Sequence, residues 1–246
     1  MSERIIIYGL HAISAALAHG RNKPIELWVD AARRDARMRT LIQSAREAGV
    51  PVRQVAQGEL DKTVPGARHQ GVLAFCNSRP AYSEHDLPFL LEKFAEPALL
   101  LVLDGVQDPH NVGACLRSAD AAGAHAVIVP RARAAGLTPV ASKVASGAAE
   151  TVPFIQVTNL ARTLRGLKDA GLWLIGADGE AEASLYDADL RLPLALVLGA
   201  EGKGMRRLTR EHCDALVRIP MRGTVQSLNV SVAAAVCLFE AARQRG

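Results

Sequence analysis

Apolar residues recur along this chain in two rhythms. Short continuous runs, Ile5-Ile-Ile-Tyr8, Leu99-Leu-Leu-Val-Leu103, Ala126-Val-Ile-Val129 and Leu194-Ala-Leu-Val-Leu198, have the length and unbroken apolar character of buried strands. Ile25-Glu-Leu-Trp-Val29 alternates at period two, as a half-buried strand does. Elsewhere apolar positions fall four apart, as Ile13 and Leu17 do, which marks one face of a helix. In the first third the pattern predicts strands over 5–8, 25–29, 52–55 and 71–75, with helices over 9–18 and 34–48. Gly49 stands where a C-terminal cap belongs. Residues 77–97 hold Pro80, Pro88 and Pro97 among charges, and read as a linker carrying a short helix over 87–94. Beyond the linker, strands are predicted over 99–103, 126–129, 152–157, 172–177, 194–198 and 215–219. Helices are predicted over 111–122, ending at Gly123, and over 160–170. Leu228, Val232, Val236 and Phe239 share one face of a closing helix. The alternation implies an α/β protein with a mostly parallel sheet and helices on both faces, preceded by a small α/β domain. The domains are drawn at 1–76 and 98–246, with 77–97 as linker.

Composition narrows this without redirecting it. Hydrophobic residues make up 49% and charged residues 22%, enough to fill a real core. Aromatics are only 4%, so that core is built from Ala, Leu, Val and Ile. No apolar run approaches the roughly 20 residues that cross a bilayer, and the start has no signal-peptide layout. Cys76, Cys115, Cys213 and Cys237 are scattered, so neither a metal site nor a disulfide framework is expected, and a reducing cytoplasmic setting is. Residues 1–78 carry 11 Lys+Arg against 7 Asp+Glu, whereas 79–246 carry 18 of each. All of the net charge of +4 therefore lies in the first third. A basic module beside a neutral one suits contact with a phosphate backbone, and equally an ordinary basic surface.

Candidate chemistry sits in three polar blocks that follow predicted strands, where open α/β sheets bind ligands. Asp104 to Asn111 follows the strand 99–103, Gly199 to Gly204 follows 194–198, and Met221 to Ser227 follows 215–219. If those strands are neighbours, the three loops share a crevice. Gly199-Ala-Glu-Gly-Lys-Gly204 permits close backbone approach to a ligand. It lacks the Gly-x-Gly-x-x-Gly spacing of dinucleotide sites and the Ser or Thr of a phosphate-binding loop, which disfavours an oxidoreductase or a nucleoside triphosphatase. Asn111 is placed to cap the helix carrying Arg117, and Ser227 to cap the helix that follows Asn229. Each block alone is explained by capping. Three at strand ends are not.

These blocks resemble, in order and spacing, the three motifs of the SpoU (TrmH) family of RNA ribose 2'-O-methyltransferases in the SPOUT superfamily. The resemblance is carried by Asp108-Pro-His-Asn-Val-Gly-Ala-Cys-Leu-Arg-Ser118, by Gly199-Ala-Glu-Gly-Lys-Gly-Met-Arg-Arg207 and by Ser227-Leu-Asn-Val-Ser231. Tyr8-Gly-Leu-His-Ala12 and His69-Gln-Gly-Val72 extend it over the first third. It implies a small ribosomal-protein-like RNA-binding domain followed by a SPOUT α/β domain with a deep trefoil knot. It implies S-adenosylmethionine as cofactor, held by Gly199, Ile219, Leu228 and Ser231, with no metal. It further implies a homodimer through the C-terminal domain and a guanosine ribose of bacterial 23S rRNA as substrate. Transfer RNA as substrate, or RNA binding without catalysis in ribosome assembly, are the alternatives. Asn111, Arg117, Glu201 and Asn229 would be catalytic. A guanidinium holds its proton firmly, so Arg117 acts either as the base the family assigns or as a cation stabilising the phosphate and the developing alkoxide.

Overall fold

The computed structural model describes residues 4–18, 20, 22–77 and 81–246. Residues 78–80 of the predicted linker lie outside them. Two compact units are present: Met1–Pro80 with Ser146–Thr151, and Ala81–Ala145 with Val152–Gly246.

The first unit runs β1 (Arg4–Tyr8), α1 (Leu10–Ala18), β2 (Pro24–Asp30), α2 (Ala36–Glu47), β3 (Val52–Val55), α3 (Gln57–Thr63) and β4 (Val72–Asn77). Its sheet has the order β1-β4-β2-β3, with only β2 and β3 parallel. Local signals place the helices. Asp35 caps α2 by accepting from the Met38 N–H at 3.2 Å, and Gly49 follows it at φ +71°, a conformation glycine adopts freely. Ile13, Leu27, Val29, Met38 and Leu41 fill the core between the sheet and its helices. The period-two pattern of β2 holds, since Leu27 and Val29 are buried there while Trp28 packs with Leu73 and Leu60 in a smaller cluster on the α3 side. Helix α3 was not foreseen. It has no side-chain cap and a polar sequence, so only Leu60 anchors it.

The larger unit comprises β5 (Tyr82–Ser83), α4 (Leu87–Lys93), β6 (Leu99–Asp104), α5 (Pro109–Ala121), β7 (Ala126–Pro130), α6 (Pro139–Val144), β8 (Phe154–Val157), α8 (Leu160–Asp169), β9 (Trp173–Ala177), β10 (Ala183–Ser184), β11 (Leu194–Gly199), α9 (Arg207–His212), β12 (Ala215–Arg218) and α10 (Val230–Arg245). The short α7 (Ala148–Thr151) belongs to the first unit. Eight strands form a sheet in the order β10-β12-β9-β11-β6-β7-β8-β5, and every pairing is parallel. All six positions of β6 are buried, as its unbroken apolar run requires. Leu100 and Val102 join Ile128, Ile155, Leu164 and Val197 in one core cluster.

Two expectations change here. Strands β6 and β11 are neighbours, but β9 separates β11 from β12, so the three strands carrying the polar blocks are not consecutive in the sheet. The closing helix begins at Val230, which leaves Leu228 outside it, and its buried side is Val230, Ala234, Cys237, Leu238 and Ala241. Val232 and Phe239, which their spacing puts on one face, are 48% and 51% exposed. Small residues suffice on the inner side because α10 lies close against α5 and β11.

Candidate active site

The carboxyl ends of β6 and β11 open into a cleft of about 350 Å³. Residues 104–108 and Asn111 line one side, Ala200, Glu201 and residues 203–206 another, and Arg133 and Val230 complete it.

Local sequence explains each wall. Asp108 caps α5, accepting from the His110 N–H at 2.9 Å, and Pro109 occupies the first turn, where a missing N–H costs nothing. Asn111 is therefore inside the first turn and not its cap, so its side chain is spared for other work. Gly113 lets α6 approach α5, since a Cβ there would lie 2.4 Å from the Ala141 carbonyl oxygen. The loop after β11 folds back on itself. The Ala200 N–H donates to Gly204 O at 3.1 Å and the Gly204 N–H to Ala200 O at 2.8 Å, with Gly202 and Gly204 at positive φ. Beneath this loop a Cβ on Gly199 would sit 2.0 Å from the Gly204 carbonyl carbon, so only glycine fits at the end of β11.

Three side chains from distant parts of the chain meet at the cleft. Glu201 Oε1 accepts from Asn111 Nδ2 at 3.2 Å, from Asn229 Nδ2 and from the Val230 N–H at 3.1 Å. Asn229 Nδ2 also donates to Asn111 Oδ1 at 3.0 Å. Asn229, not Ser227, caps α10: its Oδ1 accepts from the Ser231 N–H at 2.9 Å and from Ser231 Oγ at 2.6 Å. One residue thus closes the helix with its oxygen and joins the cluster with its nitrogen. Cys115, buried on α5, has its thiol pushed up to about 12 by burial first and by the Glu201 charge second.

Asp104, which the sequence places only at the start of a polar block, supports the same loop. Its side chain is fully buried at the end of β6. It accepts from the Arg206 N–H at 2.8 Å and from Arg206 Nε at 2.6 Å, which pins the far end of the loop bearing Glu201. A carboxylate closing an otherwise apolar strand was the available signal.

The remaining predicted residues lie elsewhere. Arg117 is exposed on α5 and does not line the cleft. Six residues beyond Asn111, it is turned about 240° around the helix. Gly199, Ile219 and Leu228 are partly buried and also stand outside the cleft lining, as does Ser231, tied to the cluster through Asn229. Among the described residues, no backbone hydrogen bond engages the peptide groups of 219–228. That segment offers a run of main-chain donors and acceptors beyond β12. The donor set suits an adenosine-like ligand recognised through backbone groups. Among the described residues no group of His, Cys, Asp or Glu is arranged to hold a metal, and no helix is long and apolar enough to cross a membrane.

Comparison with known proteins covers the whole chain. Residues 98–239 match the model of the SpoU rRNA Methylase family, and residues 6–82 match an RNA 2'-O ribose methyltransferase substrate binding domain. The chain is 56% identical to the 23S rRNA (guanosine-2'-O-)-methyltransferase RlmB of Yersinia pestis, covering 100% of this chain and 99% of that one. It is 56% identical to the protein of the same name from Pseudomonas putida, covering 100% and 98%. Among solved structures it is similar to the SpoU methyltransferase AviRb from Streptomyces viridochromogenes in complex with AdoMet, with a TM-score of 0.78, 28% identity, and 98% of this chain and 90% of that one covered.

Proposed function

The chain belongs to the SpoU rRNA methylase family, and from that premise we propose that it methylates the 2'-oxygen of a guanosine ribose in bacterial 23S rRNA, with S-adenosylmethionine as donor. The observation that carries this reading is the junction of Asn111, Glu201 and Asn229 at the strand ends, in a chain alike over its full length to 23S rRNA guanosine 2'-O-methyltransferases.

When bound, S-adenosylmethionine supplies a methyl group made electrophilic by its positively charged sulfur. Gly199, Ile219, Leu228 and Ser231 would hold it, through the unpaired main chain of 219–228 and the glycine end of β11. The protein's own contribution is placement. A ribose hydroxyl is a weak nucleophile, and fixing it in line is worth several orders of magnitude in rate. Glu201 has one oxygen committed to three N–H donors, while Oε2 takes no hydrogen bond from the described residues and is open to a substrate hydroxyl. Asn111 and Asn229 fix that carboxylate. Arg117 lies outside the cleft of its own chain, so it would act as a permanent cation on the 2'-oxygen and the phosphate beside it from the second subunit of the homodimer.

Several finer assignments belong to the same reading. Domain limits of 1–76 and 98–246, with 77–97 between them, give an RNA-binding module and a catalytic one. Asn229 and Val230 bond to Glu201 of the loop 199–206, which supports a knotted path for the C-terminal chain. A homodimer through the C-terminal domain accounts for the apolar side chains of Val232 and Phe239 left exposed on α10.

Substituting the proposed catalytic groups tests the reading. Arg117→Ala and Glu201→Ala should each lower kcat for methyl transfer by about 100-fold or more, the scale of losing one preorganised charge-stabilising group, with RNA affinity in a filter-binding assay nearly unchanged. Rates equal to the wild type would remove both residues from the mechanism.

A further inference from the structure

Two cations of the cleft lining, Arg133 and Lys203, come from the loops after β7 and β11. Among the described residues, the side chains of Arg133 and Lys203 have neither a hydrogen-bond nor an ion-pair partner. The third cation of the lining, Arg206, is occupied by Asp104. Arg133 is also held in an unusual backbone conformation, with φ +60°. Left-handed backbone in a non-glycine residue is costly, and it persists where the surroundings enforce it. Gln70, with φ 53° in the other unit, has an internal reason: its Oε1 accepts the Leu10 N–H at the start of α1. Arg133 has no such internal bond. Its loop is fixed instead from the β6 side, where the Ala135 N–H donates to Val106 O at 2.9 Å. The Arg133 carbonyl packs over Gly105, 3.7 Å from where a Cβ would stand, and Gly105 itself takes a φ of +83° that favours glycine. The loop after β7 is thus built to carry a guanidinium to the cleft and leave it unpaired.

From this arrangement we infer that Arg133 and Lys203 form a phosphate clamp for the RNA strand that carries the target ribose. Resting on the methyltransferase reading, the clamp gives its cleft a division of labour. Asn111, Glu201 and Asn229 face the ribose, and the two unpaired cations take backbone phosphates from the loop after β7 and the loop after β11. An arginine fork and a flexible lysine suit phosphate oxygens on a strand whose sequence they do not read. The carboxylate end of the cofactor is the competing anion. Against it, Gly199, Ile219 and Leu228, the residues assigned to the cofactor, do not line this cleft.

Arg133→Asn, Lys203→Ala and the double variant test the clamp. Asparagine tolerates the left-handed backbone at 133, and Arg133→Lys keeps the charge as a rescue. Each charge-removing variant should raise KM for RNA about tenfold with kcat little changed. Each should also lower the slope of log affinity against log salt concentration by about 0.7, with Arg133→Lys restoring most of both and S-adenosylmethionine affinity by calorimetry unchanged. KM and salt slope equal to the wild type would overturn the clamp. Weakened S-adenosylmethionine binding with unaltered RNA affinity would overturn it as well, by assigning the cations to the cofactor carboxylate. A wild-type enzyme that transfers no methyl to ribosomal RNA would defeat the underlying reading instead, and the salt slopes of RNA binding would still decide the clamp.

Discussion

Glu201 shows how one side chain can join segments that the sequence keeps far apart. Its carboxylate gathers donors from the first turn of α5 and from the entry to α10. Asn111 and Glu201 stand in polar blocks after apolar runs, and the family resemblance singles them out together with Asn229. Their mutual contact was not legible, since it depends on which strands lie side by side. The role of Asp104 was missed for a related reason: a single carboxylate at a strand end looks like the beginning of a loop until its burial is known. Its partner Arg206 is half-exposed, so the pair is partly screened by solvent. Asp104→Ala leaves the Arg206 N–H and guanidinium without their acceptor and should destabilise the protein by about 2 kcal/mol. Because this bond holds the loop of Glu201, methyl transfer should fall further than the lost stability explains. Denaturant melts combined with kinetics at a temperature where the variant is folded would show both effects. Full activity in a folded Asp104→Ala protein would detach the carboxylate from the site.

At the scale of elements, the helices that frame the site were read in the right places with the wrong caps. Asp108-Pro109 is a stronger start signal than Asn111, and Asn229 sits nearer the first helical turn of α10 than Ser227 does. The correction matters because it releases Asn111 for Glu201. The face that Val232 and Phe239 share on α10 is the outward one. A spacing of four identifies a shared face but not which side of the helix meets the core, and the tight approach of α5 selects Ala234 and Ala241 for the inside. The far end of α10 carries its own acid-sensitive contact. Glu240 is held down to about 2 from its ordinary 4.5, first by the hydrogen bonds from Arg243 and then by the bond from Gln244. A lowered folded-state value means the carboxylate contributes stability in full above pH 4.5 and loses it as the pH falls toward 2. The melting temperature should therefore decline through that window, and Glu240→Gln should flatten part of the decline. Parallel curves for the two proteins would show that the contact adds nothing.

Across the whole molecule, the alternation of strand and helix was enough to establish a parallel α/β unit, because buried parallel strands leave unbroken apolar runs. Strand order was out of reach, since no local pattern records that β9 comes between β11 and β12. The two-residue strands β5 and β10, one at each edge of the large sheet, are too short for any periodicity to register. Charge distribution was informative at this scale alone. The basic excess lies in the part of the chain that matches a substrate-binding domain, while the neutral remainder places Arg133, Lys203 and Arg206 in the lining of the cleft. The account stands or falls on transfer of labelled methyl from S-adenosylmethionine to unmodified 23S rRNA, with the modified nucleoside identified after digestion. It predicts a single 2'-O-methylguanosine, lost in Glu201→Ala. Label on a base, on another nucleoside, or on transfer RNA alone would contradict it.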